Sequence, residues 1–87
     1  MVAGRVLHIL RRREDTLAMS VIAAQSRDRS VEVVLVQDGV FVELPATLAV
    51  SVNGDDVAAR GIDTPYRRVG YDDIAKMVCD AVCVTVW

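Results

Sequence analysis

The sequence predicts an α/β domain in which a parallel sheet of about five strands carries helices on both faces. Strand-type and helix-type segments alternate along the whole chain, the order from which parallel sheets are built. The strongest strand, residues 31–36, reads Val-Glu-Val-Val-Leu-Val. It is nearly continuous and β-branched, as in a strand buried on both faces.

The elements follow in order. Residues 6–10, Val-Leu-His-Ile-Leu, form the first strand, and 11–14 a charged loop. Asp15 or Thr16 caps a helix that places Leu17, Val21 and Ala24 on one face. After strand 31–36 the chain breaks at Gln37-Asp38-Gly39. Residues 40–48 are apolar but contain Pro45, which allows a short or distorted helix at most. Residues 48–52 are the third strand. Asn53 or Asp55 caps a helical turn through Ala59-Arg60, and Gly61 fits its C-terminal stop. A short strand at 66–69 precedes a helix at 71–80, with Asp72 and Asp73 near its positive end. Residues 82–87 close the sheet. In such sheets functional loops lie at the carboxyl ends of strands, here 11–15, 37–40, 53–56 and 70–71.

Length and composition bound the rest. At 87 residues the chain holds one domain, 1–87. Its apolar share of 53% exceeds the ~45–50% usual for soluble domains. A chain this small cannot hide so many apolar side chains internally, so a partner subunit is expected to cover some of them. The net charge is −2, from 10 basic and 12 acidic residues. No basic field points to direct nucleic-acid or membrane-surface binding. The longest apolar run, 31–42, is interrupted by Glu32 and Asp38 and is too short to span a bilayer. The N-terminus reads as a strand rather than a signal peptide, and two cysteines make no disulfide framework. The expected location is cytoplasmic.

Few residues offer chemistry. Cys79 and Cys83 are the only thiols, in a C-x-x-x-C spacing that is neither the redox pair nor a metal set. A continuing helix would put them on one face, but the helix is expected to end near Asp80. A thiolate can accept sulfur as a persulfide if it is exposed and acidified. Cys79 is the candidate for that role, whereas Cys83, between Val82 and Val84, reads as a small buried hydrophobe. His8, the sole histidine, has no adjacent Ser or Cys and reads as a core or interface histidine with its hydrogen bonds satisfied. Arg11, Arg12 and Arg13 could hold an anion ahead of a helix start, but Glu14 and Asp15 offset them. A solvated loop or an intersubunit salt-bridge site is the plainer reading. Gly39 is expected to supply a backbone angle other residues resist, and Asp38 to shape the loop or grip a partner. Arg60 complements a helix dipole. Trp87 either anchors an interface or packs on the sheet edge. With isolated glycines, no phosphate loop and no metal set, no cofactor is expected.

Four segments resemble one family. Val6-Leu7-His8-Ile9-Leu10, Val34-Leu35-Val36-Gln37-Asp38-Gly39-Val40, Asp55-Asp56-Val57-Ala58-Ala59-Arg60-Gly61 and the stretch from Tyr71 to Trp87 are similar, in order, to segments of the DsrH/TusB family of sulfur-relay proteins. They cover nearly the whole chain. Q-D-G-V, A-R-G and the terminal Trp are the most specific parts. The resemblance implies a three-layer α/β/α sandwich and a place beside DsrE/TusD-like and DsrF/TusC-like subunits in a heterohexamer. Such assemblies serve 2-thiouridine synthesis in tRNA or sulfur oxidation. It also implies that the persulfide cysteine belongs to the DsrE-like partner. Some family members carry a further cysteine in the first helix, at a position that falls at about Ser20 here, and serine cannot carry sulfur. The expectation is a non-catalytic subunit. The alternatives are a carrier using Cys79 and a stand-alone homo-oligomer that binds a small anion near Arg11–Arg13.

Overall fold

The computed structural model describes residues 4–87; the sequence reading of the extreme N-terminus falls partly on 1–3, outside the described residues. The five strands are β1 (Val6–Leu10), β2 (Val31–Leu35), β3 (Ala49–Asn53), β4 (Arg67–Val69) and β5 (Cys83–Val86). They form one sheet in the order β4-β3-β2-β1-β5, and every pairing is parallel. Three α-helices connect them: α1 (Thr16–Gln25), α2 (Gly54–Arg60) and α3 (Tyr71–Asp80).

The order of the strands dictates the layers. From β1 to β4 the chain steps in one direction, so right-handed crossovers put α1, the segment after β2 and α2 on one face. The step from β4 to β5 crosses to the far side of β1 and puts α3 on the other face. Two core clusters record this. Leu10, Val33, Leu35 and Val52 of the sheet pack with Ala18 and Ile22 of α1 and Val57 of α2. Leu7 and Val34 pack with Val69 and with Ile74 of α3. The result is the three-layer α/β/α sandwich. β2, at the centre, has Val33, Val34 and Leu35 fully buried, as its continuous apolar sequence requires.

Local chemistry sets the ends of the helices. Asp15 caps α1, its carboxylate accepting from the Ala18 amide at 3.0 Å. Asn53 caps α2 through the Asp56 amide at 3.0 Å, and Gly61 ends it at φ 60° in the left-handed region. At α3 the Gly70 amide donates to the Asp73 carboxylate at 3.0 Å.

Several expectations are corrected. The buried face of α1 is Ala18 and Ile22, not Leu17, Val21 and Ala24; Leu17 is 64% exposed. The helix carries apolar residues on every side, so periodicity has no stripe to select, and Ala18 lets the backbone come close to the sheet. The helical turn expected within 40–48 lies earlier, a 3-10 helix over Gln37–Phe41. Beyond it residues 42–45 have no regular structure. Tyr66, expected to open β4, precedes it and holds this segment instead. Its hydroxyl accepts from the Leu44 amide at 2.8 Å and donates to the Leu44 carbonyl at 3.2 Å. Cys83 is exposed rather than buried, because β5 is an edge strand with β1 as its single neighbour.

Candidate functional site

The carboxyl ends of β2 and β3 meet at a compact polar unit. The Gln37 amide donates to Asp56 Oδ2 at 2.8 Å, which ties the turn after β2 to the first turn of α2. Arg60, at the other end of α2, donates through Nε to Asp38 Oδ1 at 3.0 Å. Its Nη1 reaches the Asp56 carbonyl at 3.2 Å and lies 3.6 Å from Asp56 Oδ1. Arg60 thus bridges the turn and its own helix, a larger role than dipole complement. The two carboxylates differ in setting: the Asp38 side chain is 62% exposed and that of Asp56 17%. The backbone of this turn corrects another expectation. Gln37, not Gly39, takes the positive φ, at 50°. Gly39 is required by close approach: a Cβ there would collide with the carbonyl oxygen of Leu10 at the end of β1. Asn53, fully buried beneath, spends its Oδ1 on the α2 cap and leaves its Nδ2 without a partner.

A cleft of about 650 Å³ opens at the carboxyl end of β1, between the 11–15 loop and residues 41–43. Leu10, Met19, Phe41 and Val42 give it an apolar wall. Its charged lining is mixed, with Arg12 and Arg13 set against Glu14, Asp15 and Glu43. Arg13 lies over the Phe41 ring, 4.0 Å from its centroid. Arg11 points elsewhere, donating to the Trp87 carbonyl at 3.2 Å. Because the Asp15 carboxylate occupies the Ala18 amide, the start of α1 offers that donor to no anion. Arg11 and Arg13, two of the three arginines that could have held an anion together, therefore serve different neighbours. Ser20 lines the same cleft, and its hydroxyl donates to the Thr16 carbonyl at 3.0 Å.

The third arrangement lies under α1. His8 is fully buried in β1. Its neighbours Leu7 and Ile9 pack toward α3, so strand alternation turns the imidazole toward α1. There Nε2 meets Gln25 Oε1 at 2.6 Å. On the other side Nδ1 accepts from the Trp87 indole Nε1–H at 2.9 Å, the two ring planes inclined by 17° with centroids 6.0 Å apart. The Trp87 amide also donates to the Ile9 carbonyl at 2.9 Å. Trp87 thus packs on the sheet beside β5 and against the α1-side core. Gln25 escaped the sequence reading, and Asp56 entered it only within the 53–56 loop and the resembling segment, without a role of its own. The Asp56–Arg60 spacing of four on a helix was a usable signal, whereas nothing local marks Gln25.

Cys79 and Cys83 are both exposed, the first on α3 and the second on β5, with the end of α3 between them. Among the described residues no group of His, Cys, Asp or Glu is placed to hold a metal ion, and no helix is long and apolar enough to cross a membrane. No family model and no curated protein matches the chain.

Proposed function

We propose that this chain is a non-catalytic, cytoplasmic subunit of a sulfur-relay assembly of the DsrH/TusB kind, serving either tRNA thiolation or sulfur oxidation. It shapes the surface on which a partner presents its persulfide cysteine. The observation that carries the reading is the attachment of two of the segments on which the resemblance rests. Gln37 and Asp38 of the Q-D-G-V segment are bonded directly to Asp56 and Arg60 of the D-D-V-A-A-R-G segment. These two of the four resembling segments therefore meet at the carboxyl edge, where a parallel sheet offers its functional surface. Ser20 supports the non-catalytic part: its hydroxyl is turned back onto the helix, at the cleft wall where a relative's cysteine would stand.

Co-expression with DsrE/TusD-like and DsrF/TusC-like subunits, followed by native mass spectrometry, tests the assignment. The expected result is an assembly that contains all three chains. Partners that assemble without this chain would overturn it.

One observation favours a second reading, a homo-oligomer. The two sheet edges are built differently. β4 is three residues long and carries exposed Arg67 and Arg68. β5 carries no charge; Val86 within it is 57% exposed, and Val82 just before it 64%. An uncharged, β-branched edge lacks the usual protection against pairing with another strand.

A further inference from the structure

We propose that His8 is a proton-operated latch on Trp87: the neutral imidazole holds the indole on the sheet, and protonation of His8 releases it. The argument is one of donors and acceptors. An indole N–H can only donate, so the Nδ1 atom that receives it at 2.9 Å carries no proton. A neutral imidazole then holds its proton on Nε2, facing Gln25 Oε1 at 2.6 Å. Both ring nitrogens are satisfied in this tautomer and in no other. A second proton has one place to go, Nδ1, where it sets an N–H against the indole N–H. The bond to Gln25 survives this change and the bond to Trp87 does not. Protonation therefore acts on one side of the ring.

Among the described residues, none that faces the ring from α1 or flanks it on β2 and β5 carries an opposite charge. The α1 sequence contains no charged residue. Val33 of β2 and Thr85 of β5 flank His8 in register, both uncharged. Glu32, the one acid of β2, is paired with Arg5 at 3.0 Å and, by strand alternation, faces the α3 side. On β5 the titratable group is the exposed Cys83 thiol. The charge that touches the latched segment is Arg11, on the Trp87 carbonyl. Release takes the indole off the α1-side core against which Trp87 packs.

The chain has one histidine and one tryptophan, so each reports without ambiguity. The test follows tryptophan emission and the indole Nε1–H resonance as pH is lowered stepwise from about 8, where a neutral imidazole is the starting form, to the onset of acid unfolding. Far-UV circular dichroism is recorded in parallel. The wild type is expected to show a red-shifted emission and a faster-exchanging indole proton while its secondary structure stays constant. His8→Gln, whose amide oxygen can accept from the indole without titrating, is expected to show neither change. A flat wild-type profile, or the same transition in His8→Gln, would overturn the latch. Independently of any variant, imidazole nitrogen shifts of the wild type at high pH must report the Nε2–H tautomer; an Nδ1–H tautomer would also overturn it.

Discussion

Glycine serves two separate purposes in this chain. At residue 39 any side chain runs into the Leu10 carbonyl, whereas at residue 61 there is open space and the demand is for φ 60°. Gly39→Ala is therefore expected to cost about 3 kcal/mol, the upper part of the range for overpacking. Gly61→Ala should cost about 1 kcal/mol, the strain of one left-handed residue. Urea unfolding of the two variants measures both, and equal losses would contradict the distinction. The need for glycine after Asp38 was legible in the sequence, but its reason was not. The Leu10 carbonyl comes near residue 39 only through the β1–β2 pairing, a contact between distant parts of the chain. The same holds for His8. Its character as a buried, hydrogen-bonded residue could be read from its apolar strand, whereas its partners Gln25 and Trp87 stand 17 and 79 positions away.

Between elements, the attachment of the Gln37–Phe41 turn to α2 depends unequally on its two carboxylates. Asp38 is exposed, and its pairing with Arg60 is a surface ion pair worth less than about 1 kcal/mol. Asp56 is mostly buried, and it accepts a backbone amide in addition to facing Arg60. Asp56→Ala is expected to cost about 1.5 kcal/mol or more, the lower end for a hydrogen bond to a charged group. Asp38→Ala should lie within the surface range. Chemical denaturation of both, with Arg60→Ala to close the double-mutant cycles, apportions the network. A larger loss at Asp38 would contradict it. The legibility of the elements tracks their amphipathicity. α3 turns Ile74 and Met77 to the core and opens on Asp72 and Asp73, and it lies at the residues its sequence predicts. α1 is apolar all round, so its existence and its Asp15 cap were legible but not the face it buries.

For the whole molecule, the alternation of strands and helices was enough to read a parallel sheet with both faces covered. Which strands lie at the edges was not legible, since that depends on the crossover from β4 past β1. Cys83 shows the consequence: an apolar strand reads as core until its place at the edge is known. The exposed β5 edge makes a prediction at this scale. If copies of the chain pair there, Val86→Lys, which puts a charge on that edge, will shift the wild-type oligomer to a monomer in sedimentation velocity. A monomeric wild type at high concentration would remove the homo-oligomer reading.

The proposed role of this chain is to support sulfur transfer without carrying sulfur. It is tested most directly by reconstituting it with DsrE/TusD-like and DsrF/TusC-like subunits, loading the mixture from a persulfide donor and measuring the intact mass of every chain. A reducible one-sulfur adduct on the DsrE-like subunit, with none on this chain, is the predicted result. An adduct on this chain that disappears in Cys79→Ser would contradict the account and make the chain a carrier.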